Sequence, residues 1–64
     1  MIYSVAEFCR EHGISRGLIY RLVRDGLGPR LAKAGRRTLI TAEAAAEWRR
    51  RLEETTQRLA PGNV

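Results

Sequence analysis

Apolar residues along this chain recur at helical intervals, and each run opens or closes on a residue that starts or stops a helix. Val5, Phe8, Cys9 and His12 fall on one side of a helix over residues 5–12. Ser4 followed by Glu7 forms a capping box at its start, where side-chain oxygens satisfy N–H groups that a first turn leaves free. Ile2 or Tyr3 can pack back onto Phe8 as a hydrophobic staple, so Met1 to Tyr3 read as a lead-in. Gly13 ends the helix, because glycine tolerates the positive φ that follows a last turn. Ser15 caps a second helix over residues 16–25, which Gly26 stops. Projected at about 100° per residue, Leu18, Ile19, Leu22 and Val23 share its inner side. Gly17, Tyr20, Arg21 and Arg24 lie opposite, with Arg16 at the flank.

Beyond the second helix the period changes. Gly26-Leu27-Gly28-Pro29 cannot continue a helix, and Leu27 is expected to plug the core there. Residues 30–33 and 37–40 bracket Ala34-Gly35-Arg36 and predict a β-hairpin. Leu31 and Leu39 are expected to face the core, with Ile40 a further candidate, while Arg30, Lys33, Arg36 and Arg37 ring the tip and edges. Thr41 caps a third helix over residues 42–59, whose inner stripe is Ala45, Trp48, Leu52, then Thr55 or Thr56, and Leu59. Trp48 is expected to cover a core of Phe8, Ile19, Leu22 and Leu31. Arg49, Arg50 and Arg51 splay around this helix, where Glu47, Glu53 and Glu54 can pair with them at helical spacing. Residues 60–64 read as a frayed tail. The pattern predicts one domain over residues 1–59, mainly α with a small β-hairpin.

Charge changes this picture through its placement. Of the net +5, residues 1–15 carry −1, residues 16–37 carry +6 and residues 38–64 carry none. The excess therefore sits on the second helix and the hairpin, and a concentrated positive charge is an electrostatic footprint for phosphate. A membrane surface would need apolar residues interleaved on the same exposed face, and here they point inward.

Other chemistry is scarce. Sixty-four residues allow one small core and little room for a preorganised catalytic pocket. The single Cys9 sits on the apolar side of its helix and reads as a small buried residue. His12 has no second ligand at metal-binding spacing and suits the C-terminal end of its helix. With no acid–base pair, metal cluster or phosphate-cradling glycine loop, neither an enzyme nor a cofactor is expected. No membrane-length apolar run and no leader-like N-terminus are present, so a cytoplasmic, nucleoid-associated protein is expected.

The stretch from Val5 to Arg24 resembles the helix-turn-helix of DNA-binding proteins. Cys9 is the small residue before the turn glycine Gly13, and Ile19 and Leu22 are the apolar residues expected after it. A longer resemblance covers about residues 3–52: Ser4-Val5-Ala6-Glu7, Gly13-Ile14-Ser15, Tyr20-Arg21, Gly28-Pro29, Gly35-Arg36-Arg37 and Glu47-Trp48, in that order. This order resembles the excisionase and MerR-like (AlpA-type) winged helix-turn-helix family of small bacterial and phage proteins. The resemblance implies a recognition helix, residues 16–25, in the major groove and a basic wing, residues 30–40, on the backbone or minor groove. It implies contacts from Arg16, Tyr20, Arg21 and Arg24 on the helix, with Gly17 beside them, and from Arg36 and Arg37 on the wing, flanked by Arg30 and Lys33. Ser15 and the free N–H groups at the helix start are placed to hold a phosphate. Two departures stand out: Gly17 replaces a common Ser or Thr, and the third helix runs past the family's usual end near residue 52.

The expected partner is double-stranded DNA. One use is an excisionase that bends an attachment site and directs a recombinase or integrase. The other is a transcriptional regulator working near RNA polymerase. One domain this small covers a half-site at most, so a homodimer or cooperative assembly on DNA is expected. The rival is a protein-interaction adaptor on a degenerate winged fold. RNA is a weaker third, because Tyr20 stands alone as an exposed aromatic platform.

Overall fold

A computed structural model describes residues 1–59, in the order β1 (Ile2–Ser4), α1 (Val5–His12), α2 (Arg16–Arg24), β2 (Ala32–Ala34), β3 (Arg37–Thr41) and α3 (Ala42–Leu59). The chain is mostly helical, with a small antiparallel sheet of three strands in the order β1-β3-β2. The tail expected over residues 60–64 lies outside the described residues, as does the side chain of Leu59.

Local signals set the helix ends. Ser4 Oγ accepts from the Glu7 N–H at 3.1 Å, and Glu7 Oε1 accepts from the Ser4 N–H at 2.9 Å, completing the capping box. Tyr3 supplies the staple, its ring edge-on to Phe8 at 6.0 Å, while Ile2 stays exposed. At the other end Gly13 adopts φ 66° and ψ 33°, and the Ile14 N–H closes back on the Cys9 carbonyl at 3.0 Å. Ser15 caps α2 through the Leu18 N–H at 3.1 Å, and Asp25 is the C-cap beyond Arg24. Thr41 caps α3 through the Ala44 N–H at 3.0 Å.

The Glu7 carboxyl is held below its ordinary value of 4.5, first by the Ser4 N–H, then by the Ser4 hydroxyl. Desolvation opposes this, and the charges of Arg10 and Arg37 add to it. A lowered folded value means that the stabilisation is present above the unfolded carboxylate's pKa and is lost as pH falls through the folded one. Wild-type Tm is therefore expected to drop more than that of Glu7→Gln between about pH 6 and about pH 3, since glutamine caps without a charge. Parallel melts in circular dichroism check this; equal slopes would remove the charged cap from the account.

The sheet differs from the pattern's expectation. Met1 to Tyr3 are more than a lead-in, because β1 pairs with β3 in the register Ile2↔Thr41, Tyr3↔Ile40 and Ser4↔Leu39. A three-residue strand has no periodicity to read, and only the neighbouring strand makes it one. The hairpin strands are residues 32–34 and 37–41 rather than 30–33 and 37–40. Ala34 pairs with Arg37, leaving Gly35-Arg36 as a two-residue turn with Gly35 at φ 62°. Glycine in the first central position, with Arg36 at negative φ, is the II′ arrangement that matches strand twist.

Val5, Phe8, Cys9, Ile19, Ile40, Ala44, Ala45 and Trp48 form the core, with Tyr3, Ile14 and Leu22 packed against it. Cys9 is buried and small where α1 meets α2. Four expectations are corrected here. Ile40, fully buried, is the β3 core residue; side chains alternate along a strand, so half-buried Leu39 lies on the opposite face. Leu27 is 63% exposed and Leu31 36%, because α3 closes the core with Trp48 and small alanines before either leucine can enter. Leu18 is 41% exposed, since Ile19 alone of its pair points at the core. Along α3, residues 49–58 are all exposed, so the inner stripe expected to continue through Leu52 and Thr55 or Thr56 lies outside the core, although Arg49 and Arg51 still reach His12 and Gly28. Among the described residues, no helix is long and apolar enough to cross a membrane.

Candidate nucleic-acid interface

The candidate surface is built from the outside of α2 and the turn of the β2–β3 hairpin. α2 is anchored by Ile19, which is buried, and by Leu22 and Val23, which are half-buried. That fixes its opposite side. Ser15, Arg16, Gly17, Tyr20, Arg21 and Arg24 are all exposed. Among the described residues the side chains of Arg16, Tyr20, Arg21 and Arg24 make no hydrogen bond or ion pair, so all their donors face solvent. Ser15 accepts from the Leu18 N–H with one of its oxygen lone pairs and keeps its hydroxyl hydrogen.

The hairpin cations divide into two groups. Arg36 in the turn and Arg37 beside it are exposed and without a hydrogen bond or ion pair among the described residues, although the charge of Arg37 is felt by Glu7. Lys33 and Arg30 are engaged. Lys33 Nζ donates to Thr38 Oγ1 across the two strands at 2.9 Å. Arg30 Nε meets Glu47 Oε1 of α3 at 3.2 Å, so it belongs to the linker before β2 and not to the hairpin edge.

Residues of α3 that the sequence pattern assigns to solvent or core cover also hold this surface in place. Trp48 Nε1 donates to the Leu27 carbonyl at 2.9 Å, and Arg51 Nη2 donates to the Gly28 carbonyl at 3.2 Å. With Glu47, they grip the segment joining α2 to the hairpin. The expected pairing of Arg49, Arg50 and Arg51 with Glu47, Glu53 and Glu54 along α3 is therefore replaced. Among the described residues the ion pair that forms is Arg30 with Glu47, and Arg51 turns to a carbonyl. Contacts between segments so far apart in sequence leave no periodic signal that could have found them.

His12 is drawn into the fold. Its ring stacks on Phe8 at 4.0 Å, Nδ1 meets the Phe8 carbonyl at 2.8 Å, and Nε2 meets Arg49 Nη1 at 2.9 Å. A carbonyl can only accept and a guanidinium can only donate, so Nδ1 carries the proton and Nε2 is the acceptor. Both ring nitrogens are occupied by structural contacts. Among the described residues no group of three or more His, Cys, Asp or Glu is placed to hold a metal ion.

Compared with protein families, with curated proteins and with solved structures, the chain has no significant match.

Proposed function

We propose that this chain is a winged helix-turn-helix protein that binds double-stranded DNA sequence-specifically, with α2 as recognition helix and the β2–β3 hairpin as wing. The observation that carries this reading is the face of α2: four large donors or aromatics, Arg16, Tyr20, Arg21 and Arg24, exposed and without an internal partner among the described residues. Keeping three guanidiniums unpaired on one nine-residue helix suits a polyanionic groove, where bidentate contacts to guanine and to phosphate are available. Arg36 and Arg37 at a tight turn extend the same charge to a second element. The resemblance to the excisionase and MerR-like family agrees with this division into helix and wing. It leaves open two uses, directing a recombinase or regulating transcription in the cytoplasm, and a neighbouring integrase gene would favour the first.

In this mechanism α2 enters the major groove, its N-terminal N–H groups and the Ser15 hydroxyl meet a phosphate, and the wing arginines lie along the backbone. Base contacts specify and phosphate contacts position. Arg21→Ala and Arg24→Ala are therefore expected to reduce discrimination between sites by about 1–3 kcal/mol each. Arg36→Ala and Arg37→Ala are expected to weaken all sequences evenly and to lower the salt slope by about one each. Titrations of a selected site and of random duplex, each at two salt concentrations, check both statements. Equal losses on both duplexes for all four variants would overturn the division of labour.

The reading as a whole is tested on the region upstream of the chain's own gene, against random duplex of equal length. Footprint-sized protection that survives the higher salt supports it, and the footprint's symmetry reports how copies assemble. Equal, salt-labile binding to both duplexes would turn attention to the protein-adaptor alternative. Exposed Leu27 and Leu52, beside the groove between the linker and α3, are the observation that favours that alternative.

A further inference from the structure

From the contact between the linker and α3 we infer that Glu47 is a specificity-determining residue that acts by withholding Arg30 from nucleic-acid phosphate. The inference rests on the duplex-DNA reading above. Arg30 counts among the seven cations of residues 16–37, yet its Nε is paired with Glu47 Oε1 at 3.2 Å. The two partners differ in freedom. Glu47 is the less exposed, at 39% of its side chain, and stands next to buried Trp48 on a part of α3 that also buries Ala44 and Ala45. Arg30 is 68% exposed, on a backbone fixed by buried Pro29 just before it. The carboxylate is therefore the more confined partner and the guanidinium the freer one.

An exposed pair of this kind is weak, because water screens it and both side chains lose freedom in making it. A phosphate offers the guanidinium a bidentate acceptor and releases a counterion besides. Arg30 thus has two competing anions within its chemistry, and Glu47 biases the choice toward the protein. While the pair holds, the free protein presents one fewer cation to any duplex, and the start of the hairpin stays tied to α3 beside the Trp48 and Arg51 contacts to the linker carbonyls. Sequence-independent affinity is kept down by the first effect. Discrimination is kept up by the second, since the hairpin meets DNA from a fixed position.

The test is a cycle of Glu47→Gln, Arg30→Ala and the double variant on the full chain. The selected site and random duplex are titrated across a salt series, and the Arg30 Nε–H resonance is followed in the absence of DNA. Glu47→Gln keeps the shape of the side chain and is expected to raise random-duplex affinity roughly two- to fivefold at about 0.1 M salt. The salt slope is expected to steepen by about 0.9, the value of one more neutralised phosphate. The selected site is expected to gain less, so the ratio of the two affinities falls. The gain is expected to vanish in the double variant, and the Arg30 Nε–H signal of the free protein to move in Glu47→Gln.

A gain that persists with Arg30→Ala would be a general charge effect and would overturn the inference. So would an unmoved Nε–H signal, or unchanged affinities in a protein that does bind duplex. Glu43→Gln, which removes an exposed acid from the same helix without touching Arg30, measures the general charge effect directly. If wild type and every variant fail to bind duplex, the DNA reading and this inference fall together, a result distinct from the other three.

Discussion

Trp48→Ala is expected to unfold the domain at room temperature. Trp48 is 5% exposed, its ring lies 5.5 Å from that of Phe8 and 6.0 Å from that of His12, and its N–H donates to the Leu27 carbonyl at 2.9 Å. Truncating a buried tryptophan removes about 3–5 kcal/mol through lost transfer free energy and the cavity left behind. A domain this short draws roughly 3–5 kcal/mol from its core, so the loss is comparable with the whole stability. No disulfide can compensate, since Cys9 is the only cysteine. Far-UV circular dichroism should show largely unfolded chain at 25 °C and no cooperative melt. Trp48→Phe separates packing from hydrogen bonding: it retains an aromatic ring, loses the contact to Leu27, and should melt cooperatively at a lower Tm, about 1 kcal/mol down for the bond. A Trp48→Ala protein melting within a few degrees of wild type would mean that the remaining core residues suffice.

Gly28→Ala is expected to cost about 1–3 kcal/mol, as overpacking does. A Cβ there would sit 2.7 Å from Val23 Cγ2 and 2.9 Å from the Val23 nitrogen. The methyl could rotate away, but the nitrogen belongs to α2, so relief requires the linker to move off the helix. That movement would also disturb the Arg51 contact to the Gly28 carbonyl and the Arg30–Glu47 pair that follows. Gly17→Ala is the matched control. Its Cβ would meet only Ser15 Oγ at 3.9 Å, an ordinary contact, and alanine within α2 should add about 0.5–1 kcal/mol. Urea midpoints for the two variants should therefore move in opposite directions. A Gly28→Ala midpoint equal to wild type would show slack in the linker. If Gly17 serves close approach of DNA to the helix, its alanine variant should be the more stable protein and the weaker binder.

Much of the fold is legible in the order of the residues. The capping box at Ser4 and Glu7, the staple onto Phe8, the turn at Gly13, the caps at Ser15 and Thr41 and the glycine at the hairpin turn all depend on residues within a few positions of one another. Burial of Cys9, Ile19 and Trp48 follows from helical spacing. The exposed arginine side of α2 is legible for the same reason, as the complement of an apolar stripe.

The features that spacing misses involve choices among equivalents. Several leucines are qualified for one core, and Leu18, Leu27 and Leu31 stay outside it, while Ile40 takes the place expected of Leu39. The pattern predicts two strands, and a third, β1, exists only because the exposed edge of β3 passes beside it. Of the seven cations among the residues that the sequence marks as a DNA surface, Arg30 and Lys33 have partners within the protein, and that of Arg30 lies on a helix that spacing alone assigns to its own arginines.

By itself, then, the sequence determined the helices, their ends, the hairpin turn and the basic face of α2, because helix caps, turn geometry and amphipathic period are settled between near neighbours along the chain. The tertiary structure alone decided which of several equally qualified apolar side chains were buried, which strand face met the core and which cations remained free. Those outcomes depend on how separate elements dock, and a core of this size has room for only some of the residues equally qualified to fill it.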